Sequence, residues 1–447
     1  MKRPLFAPLC FSVRLPTLLA MFWRAHINRE QASDLLRKGG PSFIIFRLDA
    51  LGDVVMTTPL FRALKKAYPD SRCTVVVRNC YKSLLVTNPH IDEILTLPVI
   101  RPAWLPQRLR GLLAAALLYW TKLRKRHFDF AVSPRWDVDE QLATFLCVLT
   151  RATTRVGYTE KTSQAKQRIN RGFDRAYDLC LPPGPARHEI LRNLAVAKAM
   201  GATELNATLE VQLTETDRRR AAKLLARVPA TTDLVAIGIG AGSPNRRWPL
   251  SRYAQVIEQL ARIRPLQPVI VCCAAELGDA MKLAGKLSIA PIILSGAGLR
   301  EACAVIERCE LFIGNDSGCA HLAAAMNCRV IVISRHPLDG DANHFNSPLR
   351  FAPHCPNVGV LQPATGMEGC RGACRSLEAH CIRRISVDAV VAACRAMVHL
   401  KRASVSQPEL SAWPDKAARS LLQSHSAPAI ERAVEVLRSG NRPLTQL

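Results

Sequence analysis

Two stretches far apart in the chain end an apolar run on a glycine and an aspartate: FIIFRLDALGDVVMTTP at 43–59 and LFIGNDSGCAHLAAAM at 311–326. Such a run, cut off by a glycine-containing turn, is the carboxyl end of a buried parallel strand, where open α/β sheets bind ligands. At the first turn Gly52 eases the backbone round and Asp53 stands at the opening of a helix. It either caps the unsatisfied N–H groups there or belongs to a ligand edge. At the second turn, after Asp316 and Ser317, a helix start offers N–H groups and a dipole to an anion, and Gly318 lets a diphosphate approach the backbone. His321, one turn in, donates to a ligand or serves as a structural histidine.

Three further strand ends carry suitable groups. GAGSPNRRWP at 240–249 holds a glycine turn with Gly242 and Ser243, then Arg246 and Arg247. Guanidinium groups there either neutralise a departing pyrophosphate or are simply solvated. Glu276, after PVIVCCA, stands where an acidic side chain can bind ribose hydroxyls. Arg135 and Asp137 follow FDFAVSP at another candidate ligand edge.

The elements that must position these groups alternate. Strands at 43–46, 74–77, 93–97, 128–134 and 156–158 are separated by helical stretches that include 59–67, 104–126 and 140–149. After a helix at 188–202 closed by Gly201 and a linker at 206–232, the alternation restarts at 234–242 and runs to 330–334. This is the signature of parallel sheets with crossover helices, repeated in two Rossmann-like domains, 41–205 and 233–400, facing across a cleft. The polar, Lys/Arg-rich stretch 159–172 reads as a loop, either an ordinary solvated one or a mobile one suited to an anionic acceptor. The helix at 104–126, basic and flanked by Trp104 and Trp120, packs on its sheet or touches a membrane surface.

Hydrophobic content of 49% with 22% charged residues excludes a disordered chain, and 447 residues are too many for one core. The net charge of +25 favours phosphate-bearing partners, namely nucleic acid, nucleotide sugars or an anionic leaflet, without choosing among them. The 16 cysteines include Cys272, Cys273, Cys303 and Cys394 within apolar patterns, which suits reduced thiols in an intracellular protein. No run reaches the roughly 18 apolar residues of a spanning helix. Residues 1–24 resemble a signal peptide only loosely, since Arg14 and Pro16 interrupt the apolar part. The basic extension 1–40 is a loose arm or a headgroup-layer contact, and the tail 401–447 carries no legible role.

Together, RLDALGDVVMTTPLFRALKKAYPD, GAGSPNRRWP and NDSGCAHLAAAM resemble, in this order and at these separations, the bacterial heptosyltransferases of glycosyltransferase family 9. The resemblance covers about residues 42–400 and implies a GT-B architecture and inverting transfer of a heptose from ADP-heptose to the inner core of lipopolysaccharide. It implies Asp53 as general base and Gly52, Arg135 and Asp137 on the acceptor side. The donor would lie against Gly242, Ser243, Arg246, Glu276, Asp316, Ser317, Gly318 and His321. Arg246 stands where the family often has a lysine, and Asp49 departs from the more usual serine before ALGD. No cofactor or metal is required by this chemistry. Cys370, Cys374 and Cys381, with Cys355 and His380 nearby, resemble the family's tail and have ligand-type spacing for zinc, though not that of paired CxxC knuckles. The expected setting is the cytoplasmic face of the inner membrane, in peripheral contact with anionic lipid and with no nucleic-acid partner. The alternatives are a transferase of the same fold using another nucleotide sugar or a protein acceptor, and a non-catalytic nucleotide- or nucleic-acid-binding protein.

Overall fold

The computed structural model describes residues 40–101, 104–185, 187–367, 370, 376 and 378–399; the N-terminal extension, the C-terminal tail and Cys374 lie outside them. The chain divides into two compact units: the first runs to Pro185 and includes Glu189–Leu205, and the second holds His188 and continues from Asn206.

The first unit is a six-stranded sheet of β1 (Ser42–Arg47), β2 (Arg72–Arg78), β3 (Glu93–Leu97), β4 (Phe130–Ser133), β5 (Thr154–Tyr158) and β6 (Leu179–Leu181) in the order β3-β2-β1-β4-β5-β6. Every pairing is parallel. The helices that matter here are α1 (Leu51–Ala67), α2 (Gln107–Leu118), α3 (Ala143–Leu149), α4 (Gln164–Ile169) and α5 (Glu189–Ala199). Phe43, Ile44, Ile45 and Phe46 of β1 are buried on both faces, as a central strand with helices on each side requires.

The second unit repeats the plan with β7 (Asp233–Gly238), β8 (Leu266–Cys272), β9 (Ile292–Ser295), β10 (Leu311–Asn315), β11 (Arg329–Ile333) and β12 (Val358–Leu361), in the order β12-β11-β10-β7-β8-β9. These pairings are parallel as well. Around them lie α6 (Glu215–Leu224), α7 (Leu250–Ala261), α8 (Leu299–Ile306), α9 (Gly318–Ala325) and α10 (Val387–His399). Ile237, Ile270, Ile313 and Ile331 from the strands meet Tyr253 and Ile257 of α7 and Val390 of α10 in one core. Helix α6 is tied to the end of α8 by a paired contact, Arg218 Nε and Nη2 donating to the Glu307 carboxylate at 3.0 Å each.

In each unit the strand order reverses once, between β1 and β4 and between β7 and β10. At such a reversal the connections leave in opposite directions, so a crevice opens beyond the carboxyl ends of the two strands.

Two local expectations are corrected. The first helix begins at Leu51 rather than at residue 59, so Gly52 and Asp53 lie within its first turn and Pro59 in its interior. Proline there leaves the Val55 carbonyl without its usual N–H donor, and the Thr58 hydroxyl donates to that carbonyl at 2.8 Å instead. The stretch 159–172 is not a loop throughout: it holds a short 3-10 turn, Glu160–Thr162, and then α4. The edge strands β6 and β12, of three and four residues, and helix α10 add to the elements that the sequence pattern displays.

Candidate functional site

Beyond β1, Ala50 in extended conformation precedes α1, and Asp53 is the third residue of the helix rather than its cap. One carboxylate oxygen still does capping work: Oδ2 accepts the Ala50 N–H at 3.1 Å. The other, Oδ1, is buried with no hydrogen-bond partner and lies 3.6 Å from Nη1 of Arg135. Arg135 stands just past β4, across the reversal point, so the sheet topology is what brings the two residues together.

Asp49 gains a role here. It pairs with Arg47 at 3.0 Å and with Arg135 at 3.4 Å, holding the guanidinium that faces Asp53. The two carboxylates are pushed apart electrostatically. Burial raises Asp53 above the usual aspartate range; Arg135 opposes this and the Asp49 charge adds to it. Burial would raise Asp49 too, but Arg135 and Arg47 outweigh it and hold Asp49 below that range. Splitting a carboxylate pair in this way leaves one as a fixed counter-charge and the other as the better proton acceptor.

Several residues that build this site are not readable as functional from sequence. Arg47 is buried to 1% exposure and donates to Thr57 Oγ1 at 2.6 Å, Asn193 Oδ1 at 3.0 Å and Asp49. Asn193 in turn donates to the Met56 carbonyl at 2.8 Å, so β1, α1 and α5 are locked together behind Asp53. Lys166 of α4, expected in a solvated or mobile segment, is buried and donates to the carbonyls of Arg135, Trp136 and Tyr158 at 3.1, 3.1 and 3.2 Å. Burial lowers its amine to about 8. The Arg192 guanidinium lies 3.6 Å over the Trp136 ring and pairs with Glu189 at 2.5 Å. The segment carrying Arg135 is thus held from two sides. Gly52 is buried in the first turn of α1, while Asp137 turns onto its neighbour, Oδ1 accepting the Val138 N–H at 2.9 Å.

In the second unit Arg246 lies beyond β7 and Asp316 beyond β10, again on either side of the reversal. Arg246 Nη2 donates to the Asp316 carboxylate at 2.9 Å and to its carbonyl at 2.5 Å. The Arg246 Nε is buried without a partner. Ser317 precedes α9 in extended conformation with its hydroxyl not engaged as a cap, and although the Ala320 N–H donates to the Ser317 carbonyl at 3.1 Å, the Gly318 and Cys319 N–H groups retain their anion-binding capacity. His321, on the same helix, is buried with Nδ1 unpartnered. Burial, opposed by Asp316 and reinforced by Arg246, lowers its imidazole to about 4, so it is neutral at pH 7.

Glu276 Oε2 accepts the Cys273 N–H at 3.0 Å, and Oε1 lies 3.7 Å from Arg247. A Cβ on Gly240 would come within 2.2 Å of that oxygen, so only glycine leaves the carboxylate its place. At Gly242 a Cβ would meet nothing within 4 Å, which leaves open space at the backbone. Ser243 donates to Asn245 Oδ1 at 2.6 Å.

The organiser of this half is Asn315, which sequence reasoning passed over. Fully buried at the end of β10, it accepts the Trp248 N–H at 2.9 Å and the Tyr253 hydroxyl at 3.0 Å, and donates to the Ile239 carbonyl at 2.7 Å. A polar amide closing an apolar strand was the available signal. A separate apolar cavity of about 110 Å³, lined by Val235, Leu260, Leu266, Leu311 and Cys394, lies toward the amino ends of β7, β8 and β10, away from these groups.

Of the sequence candidates, Gly52, Asp53 and Arg135 come together in the first unit, and Arg246, Asp316 and His321 in the second, with Glu276 beside the Arg247–Gly240 edge. The first group offers a proton acceptor next to a cation; the second offers cationic and N–H donors to a diphosphate.

The profile of glycosyltransferase family 9 (heptosyltransferase) matches residues 117–336. Lipopolysaccharide heptosyltransferase 3 of Escherichia coli K12 is 24% identical over 286 residues, 63% of this chain and 78% of that one. The lipopolysaccharide core heptosyltransferase OpsX of Haemophilus influenzae is 23% identical over 326 residues, 72% of this chain and 84% of that one. Among solved structures, a family 9 glycosyl transferase from Veillonella parvula superposes with a TM-score of 0.62 at 20% identity, covering 80% of this chain and 97% of that one. The E. coli ADP-heptose lps heptosyltransferase II does so with a TM-score of 0.59 at 17% identity, covering 80% and 98%. The fold is therefore α/β of GT-B type.

Proposed function

Because the chain belongs to glycosyltransferase family 9, we propose that it transfers heptose from ADP-heptose to the inner core of lipopolysaccharide, with inversion. The observation that carries the reading is the paired construction of the two reversal points: a buried carboxylate oxygen on Asp53 that faces Arg135 and has no hydrogen-bond partner in one unit, and the Arg246–Asp316–α9 anion cradle in the other.

In the proposed reaction the donor diphosphate lies on the first-turn N–H groups of α9, near Ser317 and Gly318, with Arg246 spreading its charge. Gly242 and Ser243 give the backbone room beside it, and Glu276 takes the ribose hydroxyls. Neutral His321 serves as a hydrogen-bond donor or acceptor without adding charge. Asp53 Oδ1 takes the proton of the attacking acceptor hydroxyl as that oxygen bonds to the anomeric carbon and the bond to ADP breaks. Arg135 neutralises an acceptor phosphate or the developing charge nearby. No step needs a metal, since arginine and helix N–H groups meet the diphosphate.

The acceptor is a lipid, and α2 supports a membrane setting. Leu109, Leu113 and Leu117 are 42%, 42% and 44% exposed on one helix face, continued by Trp120 at 62%; Ala114, Ala115 and Leu118 bury the opposite face. Arg108, Lys122, Arg124 and Lys125 are exposed around this stripe, which suits the headgroup layer of an anionic leaflet. No helix among the described residues is long and apolar enough to cross a membrane. In this reading the enzyme works peripherally at the cytoplasmic face of the inner membrane.

The test is mass spectrometry of products after incubating the protein with ADP-, UDP- and GDP-sugars and lipopolysaccharides truncated at successive core positions. Heptose transfer from the ADP-sugar alone supports the reading; transfer of another sugar, or onto protein, overturns it. Flotation with vesicles containing phosphatidylglycerol but not with phosphatidylcholine alone, lost in Leu113→Glu/Trp120→Glu, is the expected result for α2.

A further inference from the structure

Beside the donor half of the second unit lies a cluster that the transfer chemistry does not use. Among the described residues, Cys370, His380 and Cys381 bring one ligand atom each within 4.8 Å of one another. The Cys370 sulfur is 3.6 Å from Nε2 of His380 and 3.9 Å from Nδ1; Nδ1, 3.1 Å from the Cys381 sulfur, accepts the Cys381 N–H at 2.8 Å, which leaves Nε2 as the nitrogen that can bind a metal. In a tetrahedral zinc site, with Zn–S about 2.3 Å and Zn–N about 2.0–2.1 Å, sulfur and nitrogen stand about 3.5 Å apart. The 3.6 Å between the Cys370 sulfur and Nε2 matches that value. Neither thiol is in a disulfide, and Cys381 is buried.

The cluster is also wired to the phosphate loop. Asn245, next to Arg246, donates to the Ser376 carbonyl at 2.6 Å. Trp248 Nε1 and Arg252 Nη1 both donate to the Ile385 carbonyl, at 3.2 and 2.8 Å. Residues Cys381–Arg384 form a 3-10 turn whose first two side chains are buried. Whatever fastens Cys370 to His380 and Cys381 therefore stiffens the segment against which the Arg246 loop leans.

We propose that Cys370, His380 and Cys381 hold a structural thiophilic metal ion, zinc by the chemistry of its donors, and that this ion braces the loop carrying Arg246. Two thiolates and an imidazole are three of the four donors of a Cys2His2 or Cys3His zinc site and a poor set for magnesium or calcium. Binding releases the thiol protons, and no redox step is involved. The ion acts on loop geometry and not on the reacting atoms. The site itself stands apart from the transferase reading, on which only the effect on donor binding rests.

Metal content of the untagged full chain, expressed with zinc supplementation, should be about one zinc per chain by mass spectrometry of the metal. It should be lost in Cys370→Ser and in His380→Ala while the far-ultraviolet circular dichroism is unchanged. A strong chelator should lower the melting temperature of the unaltered chain and leave Cys370→Ser unmoved. A folded chain with only trace metal, or equal chelator sensitivity in both proteins, overturns the site. Calorimetric ADP affinity should fall several-fold on metal removal. Stoichiometric metal with unchanged ADP affinity would overturn the bracing role, and absence of ADP binding in the metal-loaded chain would count against the transferase reading alone.

Discussion

Replacing Asp53 with asparagine separates the cap it forms from the general-base role proposed for it. The cap survives, because an asparagine carbonyl oxygen can accept the Ala50 N–H that Oδ2 accepts at 3.1 Å. The basic oxygen 3.6 Å from Arg135 does not. Removing a general base costs about 10²- to 10⁴-fold in rate, or about 3–5 kcal/mol of transition-state stabilisation. Stability should move the other way. The folded-state pKa of Asp53 is raised by burial, so above it the ionised group weakens the fold, and neutral asparagine relieves that cost. Arg135 keeps its pairing with Asp49 at 3.4 Å and is not left alone. The assay is ADP release and mass-detected transfer, with urea unfolding and ADP calorimetry on the same samples. The expected result is turnover down by at least about a hundredfold, unchanged ADP affinity, and stability equal or higher. In the unaltered enzyme kcat/KM should rise with pH through a value above the ordinary aspartate pKa, since the base acts ionised. Turnover within tenfold of the parent removes Asp53 from the role, and a loss of more than about 2 kcal/mol of stability refutes the electrostatic account.

The two glycines of the loop after β7, Gly240 and Gly242, should behave differently. Gly240→Ala puts a Cβ 2.2 Å from Glu276 Oε1 and should displace that carboxylate and weaken ADP binding, whereas Gly242→Ala enters open space and should leave the melting temperature unchanged. Arg246→Ala should weaken ADP binding by about tenfold or more, the value of a charge-assisted hydrogen bond, by calorimetry. Asn315→Ala strands the Trp248 N–H, the Tyr253 hydroxyl and the Ile239 carbonyl, and should cost about 3 kcal/mol or more in urea unfolding. For His321, burial depresses the folded pKa to about 4, so its contribution is complete above the unfolded value near 6.5 and is lost as pH falls toward 4. That loss is about 2 kcal/mol at pH 5. His321→Asn should flatten the acid limb of stability against pH by that amount, and an unchanged limb would refute it.

The alternation of apolar strands and helices, the two glycine–aspartate turns and the arginine pair are local patterns, and local patterns are what a sequence displays. They led to two parallel α/β units and to most of the residues at their ligand edges. Boundaries suffered where local rules conflict: Pro59 reads as a helix start, yet it sits inside α1, where the Thr58 hydroxyl answers the Val55 carbonyl. Likewise the basic run 159–172 has the composition of a surface loop, yet Lys166 is drawn inward by three carbonyls, two from the Arg135–Trp136 segment and one from the end of β5.

What only tertiary structure decided is which charges face one another. Asp53 and Arg135 are separated by most of the first sheet in sequence, as Arg246 and Asp316 are in the second, and each pair meets because the strand order reverses between their strands. The protonation states follow from that meeting. Aspartate at position 49 and aspartate at position 53 are the same residue type four positions apart, and only burial and the placement of Arg47 and Arg135 make one a fixed counter-charge and the other the better proton acceptor. Sequence determines which groups exist and on which strand ends they stand; desolvation and Coulomb interaction, which depend on distance in space, determine what they can do.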